Sequence, residues 1–208
     1  EGAAYLPLLD QLRRTGLTCI LVEMPFRMAI FDVNAAEDVM AQFPEIRHWY
    51  LAGHSMGGAM ASQFAAGHRD QVDGLILLGA YLYGEYPSAD TLTVYGSLNQ
   101  SVEDHIDYTE NIVEIEGGNH AQFGNYGPQK GDPPAAISAQ EQQAQTVAAV
   151  EAFLNHVPAL AQVALGHAAP AHIVRIAYRG AVAHARRIIA VGIAVAKAQN
   201  VFHRKPLL

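Results

Sequence analysis

The sequence contains little cysteine, and its last 51 residues contain no acidic residue. Cys19 is the only cysteine among 208 residues, which excludes a disulfide framework. We interpret it as a small core residue on a strand. The chain shows no secretory signal and does not begin with methionine. A lone cysteine fits a reducing compartment, so we expect a cytoplasmic protein whose native N-terminus is missing.

Acidic and basic residues are distributed very unevenly. Residues 1–157 contain 6 Lys or Arg and 20 Asp or Glu, a balance of 6 − 20 = −14, whereas residues 158–208 contain 7 basic residues and balance at +7. An acidic body of this kind argues against a nucleic-acid partner. The apolar run at 188–196, nine residues long, is too short to cross a bilayer. We predict that residues 158–208 form a helical extension packed on the acidic body.

Two other interpretations of the basic tail remain open. It could lie on a membrane surface, an alternative that we do not favour. It could also be sequence that this fold has not shaped, such as an altered reading frame or a foreign end.

Apolar runs typical of buried strands alternate with amphipathic stretches typical of helices. At 208 residues and 50% hydrophobic content, the chain is long enough for one domain with a sizeable core. The pattern predicts an α/β fold, a mostly parallel doubly wound sheet flanked by helices. We assign residues 1–157 to this domain and residues 158–208 to the extension. The predicted strands are 16–24, 47–53, 72–82, 90–97 and an edge strand at 111–120, and the predicted helices are 3–15, 34–44, 56–68 and 138–157.

One short motif points to nucleophilic catalysis. Residues 53–57 read Gly-His-Ser-Met-Gly, directly between a predicted strand and a predicted helix. G-x-S-x-G in this position is the nucleophile-elbow pattern, in which a tight turn exposes the serine hydroxyl at the carboxyl end of a sheet. We therefore predict that Ser55 is a nucleophile, and that the backbone N–H of Met56 faces a developing oxyanion.

A serine nucleophile needs a base and a group that orients the base. Of the 10 histidines, His120 follows a predicted strand and lies in a glycine-bearing loop, where a doubly wound sheet would bring it to Ser55. The orienting acid should follow the strand at 90–97, yet Asn99 occupies that position. Asp104 is our preferred substitute acid, with Glu103 and Asp107 as alternatives.

Together these residues resemble the α/β-hydrolase superfamily. Four sequence blocks are similar, in the same order, to those of small bacterial hydrolases grouped with the dienelactone-hydrolase-like proteins: VEMPFRMAIFD, LAGHSMGGAMAS, GLILLGAY and IEGGNHAQFGNYGPQKGD. The resemblance covers residues 3–155. It implies a Ser-His-acid hydrolase with Ser55 as nucleophile and His120 as base, and it implies no particular substrate.

The chain departs from the pattern of this family in three ways. The acid position usually holds aspartate followed by glycine, and here it reads Asn99-Gln100. The segment that follows is shorter than is typical. The chain opens inside the first predicted helix, so we expect this fold to lack the family's N-terminal strands, including the upstream strand whose glycine-rich turn supplies a second oxyanion N–H. Missing strands would expose a sheet edge and invite self-association.

Two functions follow as hypotheses. The first is a serine hydrolase that cleaves a small ester or related acyl compound and needs no metal or organic cofactor. Its pocket is predicted to be lined by Met24, Pro25 and Phe26 after one strand and by Tyr81 after another. The second is a catalytically weakened homologue that binds a ligand or a partner protein through the same pocket.

Overall fold

Most of the acidic body and two short segments of the basic tail are described by the structure. It is a computed structural model, and it describes residues 2–156, 174–176 and 188–192. The side chains of Arg27, of His156 and of the two tail segments are not described.

Five helices and seven strands follow one another along these residues. The helices are α1 (Leu6–Arg14), α2 (Ala35–Gln42), α3 (Met56–Gly67), α4 (Gln100–Glu103) and α5 (Ala139–His156). The strands are β1 (Thr18–Val22), β2 (Trp49–His54), β3 (Gly74–Leu78), β4 (Thr91–Gly96), β5 (Ile112–Ile115), β6 (Val174–Ile176) and β7 (Ile188–Gly192).

The strands form one sheet in the order β5-β4-β3-β2-β7-β1-β6, and every pairing within it is parallel. All carboxyl ends therefore lie along one edge of the sheet, which we call the carboxyl edge. β5 lies at one end of the order, as predicted for an edge strand.

Helices cover both faces of the sheet because successive strand residues alternate between two cores. Tyr50 and Ile76 point to the core formed with α1 and α5. Leu51 and Leu75 point to the core formed with α2 and α3. Strands buried on both faces explain why the sequence shows continuous apolar runs there and not an alternating pattern.

Helix ends follow local sequence in part. The Ser138 hydroxyl accepts a hydrogen bond from the N–H of Glu141 at 3.1 Å and so caps the N-terminus of α5. Asn34 stands at the N-cap position of α2, but its side chain does not cap the helix. The first helix begins with a 3₁₀ turn at Gly2–Tyr5 before α1.

The tail differs from its prediction wherever it is described. Residues 174–176 and 188–192 are strands, not helices, and β7 lies between β1 and β2. β1 and β2 therefore have neighbours on both sides, and neither of them is an exposed edge strand. The rest of the predicted helical extension lies outside the described residues. Within the described part of the chain, no helix is both long and apolar enough to pass through a bilayer.

Candidate active site

Ser55 stands on a strained turn between β2 and α3. Its backbone angles are φ 55° and ψ −125°, in a region that residues other than glycine rarely adopt. Its N–H donates to the carbonyl of Leu78 at 3.0 Å, which extends the pairing of β2 with β3 to the carboxyl edge. Strain of this kind in a non-glycine residue is typical of functional positions.

Glycine makes this turn possible by close approach. A Cβ atom on Gly53 would lie 2.3 Å from the carbonyl carbon and oxygen of Gly57, closer than any real contact. A Cβ on Gly58 would lie 2.6 Å from that of Ala80. Met56 is the first residue of α3, so its N–H has no partner within the helix and is available at the helix N-terminus.

His120 lies beside this turn. It follows β5 and begins a 3₁₀ turn, and its ring centroid is 4.6 Å from that of His54, the residue before Ser55. A Cβ on Gly79 would lie 2.9 Å from His120 Nδ1, so the end of β3 also touches the ring. The topology thus brings both predicted catalytic side chains to the same part of the carboxyl edge. Within the described residues, Ser55 Oγ is not hydrogen-bonded to the His120 ring, and contacts of this kind often tighten only when substrate binds.

Asn99 is the group that orients His120. Its Nδ2 lies 2.8 Å from His120 Nδ1, and its Oδ1 accepts from the Ser101 hydroxyl at 3.0 Å. An amide nitrogen only donates, so in this arrangement Nδ1 accepts and the ring proton of neutral His120 lies on Nε2. The opposite amide orientation would place Oδ1 against Nδ1–H and leave Nε2 free to accept a proton. The Ser101 hydroxyl can donate or accept, so it is compatible with both orientations.

Burial governs the protonation of His120. It lowers the pKa of His120 below the ordinary 6.5, and the nearby Asp132 carboxylate opposes this change by favouring the charged ring. Neutral His120 is the form that a general base requires.

Side-chain hydrogen bonds to the backbone fix the segment that carries His120, residues 117–133, which we call the base loop. Asp132 accepts from the N–H groups of His120 (3.1 Å) and Ala121 (2.8 Å). From α5, fully buried Gln142 accepts from the N–H of Asn119 at 3.1 Å and donates to the Asn119 carbonyl at 2.8 Å.

Sequence reasoning did not identify Asp132 or Gln142 as residues that hold the base loop. The sequence offered one indication: Asp132 lies within the same long block as His120. The backbone groups that Gln142 holds are 23 residues away, and no local pattern marks them.

Asp104 and Tyr81 are two further predicted site residues. Asp104 is exposed, and its carboxylate accepts from Gln100 at 3.0 Å, so the structure brings Asn99 and not Asp104 to His120. Tyr81 follows β3 and stacks on His105 with ring centroids 4.8 Å apart.

Met24, Pro25 and Phe26 follow β1 at the carboxyl edge. Met24 lines a narrow apolar cavity together with Ala29, Gly57 and Met60, and this cavity borders the first turn of α3. Pro25 is exposed. Phe26 is 85% exposed, has φ 52° and meets the ring of Phe31 edge-on at 5.5 Å.

A parallel sheet between two helical layers defines an α/β protein, and the strained serine and the histidine at its carboxyl edge stand where a nucleophile elbow and its base are predicted. The family model described as Alpha/beta hydrolase family matches residues 1–144, and the chain belongs to that family. Neither the comparison with curated proteins nor the comparison with solved structures found a match.

Proposed function

We propose that this protein is a serine hydrolase that cleaves a small ester or related acyl compound. One observation carries the proposal: a serine at φ 55° between β2 and α3 lies beside a histidine ring whose Nδ1 is held at 2.8 Å by Asn99. The four sequence blocks further support a member of the dienelactone-hydrolase-like branch. Family membership makes hydrolysis the expected class of reaction.

The proposed reaction has two half-reactions. Ser55 Oγ attacks the substrate carbonyl carbon while His120 Nε2 takes the hydroxyl proton, and the N–H of Met56 donates to the oxyanion. The ester C–O bond then breaks, the leaving alcohol takes the proton from His120, and Ser55 is acylated. Water attacks this acyl-enzyme, again giving its proton to His120, and the carboxylic acid leaves as Ser55 recovers its hydrogen.

The amide of Asn99 decides whether His120 can act in this way. The reaction needs Nε2 unprotonated, so the Asn99 Oδ1 must face Nδ1–H during catalysis. In a serine protease, asparagine at the acid position lowers kcat about 10⁴-fold because it favours the wrong tautomer. We therefore expect slow hydrolysis by this chain.

Substrate contacts are proposed on both sides of the elbow. Met24, Pro25 and Phe26 on one side and Tyr81 on the other form mostly apolar surroundings. Apolar and aromatic linings favour a substrate with a small hydrocarbon part.

A fluorophosphonate probe, which phosphorylates activated serines, tests this proposal. We expect labelling and slow turnover of p-nitrophenyl acetate in the wild type, and neither in Ser55→Ala. Ser88→Ala is the matched control. Ser88 lies just before β4, at the amino ends of the strands, so its replacement should not affect labelling. Folded wild-type protein that takes up no probe would refute the proposal.

A specific observation favours a second function, a weakened homologue that binds a ligand or partner through the same pocket. It is the Asn99 amide nitrogen facing Nδ1, which holds His120 in the tautomer that cannot accept the serine proton. This alternative predicts that Ser55→Ala leaves ligand binding unchanged, measured by calorimetry with the hydrolysis product of any ester that the wild type binds.

A further inference from the structure

The histidine inside the elbow lies at the centre of a buried hydrogen-bond network. His54 is 2% exposed, although histidine is only moderately common in protein cores. Its Nε2 lies 2.9 Å from the backbone carbonyl of His120. Its Nδ1 lies 2.7 Å from the hydroxyl of Tyr5 and 3.2 Å from that of Tyr126.

These contacts determine where the imidazole proton of His54 lies. A carbonyl only accepts, so Nε2 carries hydrogen and donates it to His120. In the neutral ring the single lone pair of Nδ1 then accepts, and the Tyr5 hydroxyl, at 2.7 Å, is the nearer donor. Burial lowers the pKa of His54 well below the ordinary 6.5, and the proximity of His120 lowers it further, so the ring stays neutral.

The partners of His54 come from two separate parts of the chain, so the network joins three segments in all. Tyr5 precedes α1, His54 ends β2, and His120 and Tyr126 belong to the base loop. Phe123 packs on the same ring, with centroids 5.6 Å apart. The titratable groups that face His54 are therefore Tyr5, Tyr126 and His120.

We propose that His54 is a positioning residue that holds the base loop against the elbow by donating from Nε2 to the His120 carbonyl, while its Nδ1 accepts from the Tyr5 hydroxyl. It acts through His120 and does not touch the substrate. The inference extends the proposed function, because it assigns a role to the residue next to the nucleophile. The elbow thus aligns both the serine and, through His54, the base.

The test compares two replacements of His54 that differ in whether they keep an N–H donor near the position of Nε2. His54→Gln keeps an N–H group close to the position of Nε2, whereas His54→Leu removes it. We expect His54→Leu to lower kcat toward p-nitrophenyl acetate about 10²-fold, since a displacement of about 1 Å is enough for such a loss. His54→Gln should recover at least about tenfold of this loss for the same reason. His48→Gln is the control, because His48 pairs with Asp73 at 3.2 Å, away from the carboxyl edge.

Nitrogen-15 NMR of the histidine rings provides a readout that does not need activity. In the wild type, His54 should show a protonated Nε2 across the pH range in which the protein is folded. In His54→Leu, the base loop should loosen and hydrate, and the pKa of His120 should rise toward 6.5 because less burial opposes its charged form. Tyr5→Phe should change the shift of His54 Nδ1 and serves as the second variant if His54→Leu does not fold.

Three results would overturn the inference: a folded His54→Leu variant in which His120 titrates as in the wild type, a His54→Gln variant as impaired as His54→Leu, or an unchanged His54 signal in Tyr5→Phe. A protein without esterase activity would refute the proposed function and leave the NMR test in place. The two failures are therefore distinguishable.

Discussion

The elbow, residues 53–58, and the base loop, residues 117–133, meet at the same edge of the sheet but are built in different ways. The shape of the elbow comes from consecutive residues, in which Gly53 leaves room for Gly57 and Ser55 takes the strain. The shape of the base loop comes from side chains that bond its backbone across a longer stretch, Asp132 near the end of the loop itself and Gln142 on α5. The elbow is shaped by contacts between neighbouring residues and the base loop by contacts between residues farther apart in the chain. The two meet in a single site.

Both regions nevertheless depend on a glycine that lies too close to neighbouring backbone to carry a side chain. A Cβ on Gly96, at the end of β4, would lie 2.2 Å from the carbonyl carbon of Gly118 in the base loop. This repeats the contact between Gly53 and Gly57. In both places a strand end and the segment beside it approach more closely than any side chain allows.

The largest expected effect comes from breaking the elbow itself. Gly53→Ala should abolish fluorophosphonate labelling, because its Cβ would overlap the Gly57 backbone, and should lower the free energy of unfolding by about 3 kcal/mol or more. Denaturant unfolding and labelling together measure this. Gly67→Ala is a matched control at the other end of α3, where an added Cβ meets nothing within 4 Å. Gly53→Ala with normal labelling would show that the elbow is not rigid.

The second effect is a gain of activity in the base region. Asn99→Asp places a carboxylate against Nδ1, which fixes the proton there and frees Nε2. It should raise kcat/KM by up to about 10⁴, the loss measured for the reverse exchange in a serine protease.

The pH dependence of activity should also differ between the wild type and Asn99→Asp. The base acts only when neutral, so activity of the wild type should fall as pH drops, with a midpoint below 6.5 because burial lowers the pKa of His120. The new carboxylate raises that pKa, and the midpoint should move to higher pH. Asp104→Asn is the control, and a large loss in that variant would instead identify Asp104 as the acid.

The third effect comes from weakening the hydrogen bonds that Asp132 makes to the base loop. Asp132→Asn keeps one acceptor oxygen for the two N–H groups of His120 and Ala121, and should lower the free energy of unfolding by about 2 kcal/mol. It also removes the charge that favours protonated His120, so the midpoint of the pH profile should move to lower pH. An unchanged midpoint would show that Asp132 has only a structural role.

Sequence patterns predicted the parts of the molecule that depend on local structure. The strands β1 to β5 and the helices α1, α2, α3 and α5 were anticipated because burial on one or both faces leaves a periodic pattern in consecutive residues. Ser55 and His120 were predicted from motif and position; the structure places both at the carboxyl edge, and their catalytic roles stay predictions.

Long-range contacts account for what sequence patterns did not predict. The strand β7 lies between β1 and β2, and nothing in its apolar run distinguishes a strand from a helix of similar hydrophobicity. The contact of His54 with Tyr5 joins residues 49 positions apart, and that of Gln142 with Asn119 joins residues 23 apart. Such pairs form only in the completed fold. A sequence motif covers a few consecutive residues and therefore does not include both members of the pair.

The smallest effect should come from the most distant support of the base loop. Gln142→Met keeps most of the side-chain volume but leaves the buried N–H and carbonyl of Asn119 without their partner on α5. We expect the free energy of unfolding to fall by about 1–2 kcal/mol, and kcat to change little, because Asp132 still holds His120. Gln145→Met is the matched control, since Gln145 lies on the exposed side of the same helix. If Gln142→Met instead lowered kcat strongly, the base loop would behave as one cooperative unit, and the contrast with the self-contained elbow would be sharper still.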